Sequence, residues 1–82
     1  MNSKKSRETT ERVLLIYNEL IRDGIVEHKT DFCKRIGFDI TSFSQVIADS
    51  RPFPNKYLDK LCLEFDIHKN YLITGEEPKY KN

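Results

Sequence analysis

Apolar residues near the start of the chain recur at three- and four-residue steps. Between about Thr9 and Asp23 these are Val13, Ile16, Tyr17, Leu20 and Ile21, a spacing that lines them along one side of a helix. Gly24 ends the pattern, and Ile25 and Val26 form a brief apolar bridge. A second helix is expected from His28 or Lys29 to Ile36, with Phe32, Cys33 and Ile36 inward and Lys29, Lys34 and Arg35 outward. Gly37 closes it, and a new pattern starts two residues later. Asp39 can cap this third helix by accepting a hydrogen bond from an orphan backbone N–H. It is expected from Ile40 to about Asp49, with Phe43, Val46 and Ile47 inward and Thr41, Ser44 and Gln45 on the opposite side.

The loop "DSRPFP" contains two prolines, which forbid a continuous helix through it. Asn55 is expected to cap a fourth helix whose Leu58, Leu61, Cys62 and Phe65 face inward. A fifth, about His68 to Ile73, carries Tyr71 and Leu72 and closes at Gly75. No strand, repeat or low-complexity segment is apparent. The expectation is therefore an all-α fold, a compact bundle of five short helices. Residues 1–8 would be a flexible basic arm, 9–75 the domain, and 76–82 a polar tail that frays.

The connection "GFD" is too tight for two antiparallel helices, and it matches the short turn that sets two helices at a steep angle. That is helix-turn-helix geometry. A glycine free to adopt positive φ permits the bend, and the third helix then projects from the body. A helix of this kind fits the major groove of double-stranded DNA, where each base pair shows a distinct pattern of donors and acceptors. Gln45 suits adenine, since its amide can donate to N7 and accept from N6. Thr41 and Ser44 can meet base edges or phosphates, and Ile40 can touch a thymine methyl or fold back onto the domain. Serine, threonine and glutamine are also ordinary solvent-facing residues on a helix. Their position just after the "IGFD" turn is what points to DNA. Phosphate contacts are expected from Lys29, Arg51 and Lys56, with Lys34 and Arg35 as further candidates.

Composition narrows the choice. Eighty-two residues make one domain with a modest core, burying roughly 60 to 65% of the unfolded surface. With 38% hydrophobic and 33% charged residues the chain is too apolar for disorder. Its longest apolar run, Val13 to Tyr17, falls far short of a membrane span, and no secretory leader is visible, so a cytoplasmic location is expected. The two cysteines fit that location as small buried hydrophobes. No CxxC pair joins Cys33, Cys62, His28 and His68 into a zinc site, and no cofactor is expected. A net charge of +1 does not announce a nucleic-acid binder. Local clusters still exist at Lys4, Lys5, Arg7 and Arg12, and around Lys29, Lys34 and Arg35.

The span from Glu27 to Pro78 resembles the lambda-repressor-like helix-turn-helix family, also called the XRE family, in its prophage-repressor form from Bacteroidetes-type bacteria. The resemblance is carried by Phe32, Cys33, Ile36 and Gly37, by Phe43, Ser44 and Val46, and by the closing "YLITGE", Tyr71 to Glu76. With the first helix it covers roughly residues 9 to 77. It implies a five-helix domain whose third helix reads an operator, with Ile40, Thr41, Ser44 and Gln45 at reading positions and Lys29 on phosphate. One such module makes a small interface, so a homodimer on two half-sites is expected, for which the fifth helix or the tail, with Tyr71 and Tyr80, is a candidate surface. The chain departs from the family in having Ala48, Asp49 and Ser50 where glycine or Asn-Gly is usual, Ile40 at a normally polar position, and His28 as a cap. Many relatives carry a self-cleaving peptidase domain. Ending at Asn82, the chain is either a small regulator or a fragment of a longer repressor.

Two other classes are weighed. A protein-interaction module such as an antitoxin or antirepressor is favoured by near-neutral charge and by Ile40. An enzyme is disfavoured, since there is no glycine-rich phosphate loop and no Ser, His and Asp set. No small-molecule substrate is expected.

Overall fold

Helix ends set the architecture. In a computed structural model that describes residues 3–81, five α-helices follow one another: α1 Ser3–Arg22, α2 Lys29–Ile36, α3 Ile40–Ile47, α4 Leu58–Phe65 and α5 Lys69–Thr74. A single 3-10 turn, Asn55–Tyr57, leads into α4. The chain folds as an all-α bundle. Helix α2 ends with Gly37 in the left-handed region at φ 70°, where its N–H donates to the Lys34 carbonyl while that of Phe38 reaches back to Cys33 at 2.9 Å. Both bonds satisfy carbonyls that the helix leaves open. Helix α3 stops in the same way without glycine. Asp49 takes φ 65°, and Asp49 and Ser50 donate to Val46 and Gln45. A short polar side chain tolerates that backbone better than most.

The starts of α2 and α3 are capped by side chains. His28 Nδ1 accepts from the Asp31 N–H at 3.3 Å, and Asp31 in turn accepts from the Glu27 N–H at 3.1 Å. Asp39 Oδ2 accepts from the Ser42 N–H at 2.9 Å. Asn55, by contrast, is the first residue of the 3-10 turn and caps nothing, because Pro54 precedes it with no side-chain donor or acceptor and α4 begins at Leu58.

An aromatic chain forms the core. Phe32 of α2 lies 5.0 Å from Tyr17 of α1, 5.1 Å from Phe43 of α3 and 5.8 Å from Phe65 of α4 between ring centroids. Such offset and edge-on arrangements add to the value of burial itself. Phe38, Phe53 and Tyr57 extend the chain beneath the connection after α3. Thr10 secures that connection, since its Oγ1 accepts from the Phe53 N–H at 2.9 Å in a buried setting. Phe43 therefore pins α3 from behind.

Both chain ends differ from expectation. Helix α1 begins at Ser3, so residues 3–8 of the expected arm are helical, while Met1 and Asn2 lie outside the described residues. The tail through Lys81 is docked rather than frayed. His68 donates to the Lys79 carbonyl at 2.8 Å and Lys81 to that of Asp66 at 2.7 Å, closing an antiparallel bridge between Ile67 and Tyr80. Glu19 of α1 accepts from both Lys79 Nζ and, at 3.1 Å, the Tyr80 hydroxyl. Arg12 of α1 donates to the last carbonyls of α5, Leu72 and Ile73, at 3.1 Å each.

The strap is expected to weaken in acid. The Lys79 hydrogen bond holds the Glu19 carboxyl below its ordinary value of 4.5, with help from Tyr80 and against a push upward from burial. A carboxyl with a depressed folded pKa contributes stability above its unfolded value and loses it as pH falls through the folded one. Glu19→Ala is thus expected to lower amide-exchange protection at His68 and Lys81 by about tenfold at neutral pH. The unaltered protein should lose the same protection as pH falls through the depressed value, below the ordinary 4.5. Unchanged protection in both cases would show that the tail holds without Glu19.

Candidate nucleic-acid interface

Two cations converge on the outer side of α3. Lys29, at the first turn of α2 and half-buried, extends its Nζ to within 2.9 Å of Ser44 Oγ. Arg51, just past the end of α3, brings a guanidinium nitrogen to 3.1 Å from Gln45 Oε1. The helix phase explains why these residues meet. Phe43 and Val46 are buried, and Thr41, Ser44 and Gln45 lie on the far side of the turn, at 100° per residue. Thr41 and Gln45 are exposed, and Ser44 is half-buried beside Lys29. Lys29, Thr41, Ser44, Gln45 and Arg51 thus share one face.

The remaining candidates are arranged less tightly. Ile40 is 37% exposed at the start of α3, so it does not fold into the core. Ile47, expected inward, is 43% exposed. It lies about 40° around the helix from Phe43 but about 100° from Val46, on the outer edge of the arc that the bundle covers. Lys34 and Lys56 are both exposed and make no hydrogen bond to α3 among the described residues. Lys34 lies about 140° around α2 from Lys29, and the Lys56 ammonium sits 5.6 Å above the Tyr57 ring. Arg35 is engaged elsewhere, with Asp31 at 3.4 Å and over the Phe65 ring.

Arg7 was not singled out by residue type or spacing, yet it reaches Asp49 at the end of α3 across 3.9 Å. Both partners are exposed, and a pair of this kind contributes little stability, but it adds a third cation beside α3. The only hint in the sequence is the basic cluster in which Arg7 stands. Arg12 from the same cluster is committed to α5, as described. Of the two tyrosines near the candidate pairing surface, Tyr71 is buried and Tyr80 is half-buried with its hydroxyl on Glu19.

Both thiols are free and buried, and burial pushes Cys33 up to about 11. A protonated thiol is a poor nucleophile and a poor ligand. Among the described residues no three His, Cys, Asp or Glu side chains gather as a metal group, and no helix is long and apolar enough to cross a membrane. No protein-family model, no curated protein and no solved structure matches the chain.

Proposed function

We propose that this chain is a sequence-specific, double-stranded-DNA-binding transcriptional regulator of the phage-repressor type, acting in the cytoplasm, with α2 and α3 as a helix-turn-helix. The observation that carries it is the pair of contacts Lys29–Ser44 and Arg51–Gln45. They gather two cations and two hydrogen-bonding side chains on one exposed helix face that is anchored from behind by Phe43. Positive charge beside polar groups on a projecting helix serves both needs of a duplex reader, phosphate attraction and base contact. Thr41, Ser44 and Gln45 would meet base edges, Ile40 would meet a thymine methyl, and Lys29, Arg51, Lys56 and Lys34 would meet phosphate. The resemblance to lambda-repressor-like domains in the "IGFD" turn and "YLITGE" points the same way. One such module makes a small interface, so a homodimer on half-sites about 34 Å apart is part of the proposal. It binds and releases an operator without catalysing a reaction.

Selection from a pool of random duplexes tests this. Enrichment of a palindrome is expected, and Gln45→Ala together with Thr41→Ala should abolish the enrichment. A pool that emerges unenriched would contradict it. A protein-binding role, as in an antitoxin or antirepressor, is the second reading. It is favoured by Ile40 and Ile47, which expose an apolar flank on the same helix. It would be supported if Ile47→Asp abolished a protein complex while the Gln45 and Thr41 variants left it intact.

A further inference from the structure

Glutamine carries a donor and an acceptor, and a free amide can turn either end outward. Arg51 removes that freedom. A guanidinium has donors only, so the Gln45 oxygen must face it, as it does at 3.1 Å, and the NH2 group is left pointing away. Lys29 does the same to Ser44. An ammonium also has donors only, so the Ser44 oxygen accepts from it across 2.9 Å and the hydroxyl hydrogen is directed elsewhere.

Resting on the DNA-binding function proposed above, we infer that the outer face of α3 is a row of hydrogen-bond donors, and that it selects guanine over adenine at the base facing Gln45. Guanine presents two acceptors in the major groove, N7 and O6. Adenine presents one acceptor and one donor, and cytosine a donor. To take adenine, the Gln45 oxygen would have to accept a second hydrogen bond while already bonded to a cation. Withdrawal of charge by Arg51 weakens that oxygen as an acceptor and strengthens the NH2 as a donor, as hydrogen bonds in series polarise one another. Residue identity alone suits adenine. The surroundings of Gln45 reverse that preference.

The test is selection from a randomised duplex pool with the unaltered chain, with Gln45→Glu and with Arg51→Ala. Both side chains are exposed, so circular dichroism should show the fold unchanged in each variant. The unaltered chain should enrich guanine at the position that Gln45→Glu alters. A carboxylate offers acceptors only, so Gln45→Glu should move that one position to cytosine. Arg51→Ala frees the amide and should move it toward adenine. Replacing the selected guanine by 7-deazaguanine, which lacks N7, should weaken binding by about tenfold. Adenine at that position, or no preference there, in a chain that still enriches a motif would overturn the inference and leave DNA binding standing. A pool that is never retained would overturn both.

Discussion

Raising salt from about 50 to about 200 mM is expected to weaken operator binding by roughly three to four orders of magnitude. Three or four phosphate-binding side chains per protomer, drawn from Lys29, Lys34, Arg51 and Lys56, give about six to eight contacts per dimer, and each releases condensed counterions. The logarithm of affinity should fall with the logarithm of salt at a slope of about −5 to −7. Because Lys34 lies on the far side of α2 from Lys29, Lys34→Ala should change the slope least. Lys29→Ala and Arg51→Ala should each reduce its magnitude by about 2 in a dimer. Fluorescence anisotropy on a selected duplex measures all of these. A slope near zero would contradict phosphate-led binding even if a complex formed.

The second large effect is on folding. Phe32→Ala should cost about 3 to 5 kcal/mol, because the side chain is fully buried and touches rings from three other helices. Domains are stable by only about 5 to 15 kcal/mol, so this is a large share of the total. For a chain of this length the melting temperature should drop by roughly 12 °C or more. Leu63→Ala is the comparison, since Leu63 is 75% exposed and its loss should stay within about 0.5 kcal/mol. Urea unfolding followed by circular dichroism separates the two. A cost below about 1 kcal/mol for Phe32→Ala would mean that the helices do not meet at this ring.

What the sequence discloses is local chemistry. Gly37, Asp39 and Asp49 act on their nearest backbone groups, so the break between α2 and α3 and the end of α3 follow from residue type and position. The buried apolar positions of α1, α2 and α4 follow from periodicity for the same reason, while the buried Thr9 and Thr10 of α1 do not. Ile47 escapes the rule because a helix at the rim of a bundle is covered over a limited arc, and periodicity does not reveal how wide that arc is. The helical start at Ser3 escapes it too, because polar residues do not forbid a helix and carry no apolar periodicity to announce one. The docked tail brings Lys79 and Tyr80 onto Glu19, about sixty residues earlier, a contact that no local pattern contains. The candidate face divides along the same line. Thr41, Ser44 and Gln45 can be singled out by their place after the turn. That Lys29 and Arg51 orient two of them is a tertiary fact.

The most direct measurement is amide chemical-shift mapping of the ¹⁵N-labelled chain as a selected duplex is added. The largest shifts are expected at Thr41, Ser44 and Gln45, with smaller ones at Lys29 and Arg51 and none at Leu63 or at Leu15, which is 44% exposed on α1. Shifts centred on Leu15, Leu63 or the Glu19 strap, with α3 silent, would contradict the claim that the outer side of α3 is the face this protein uses.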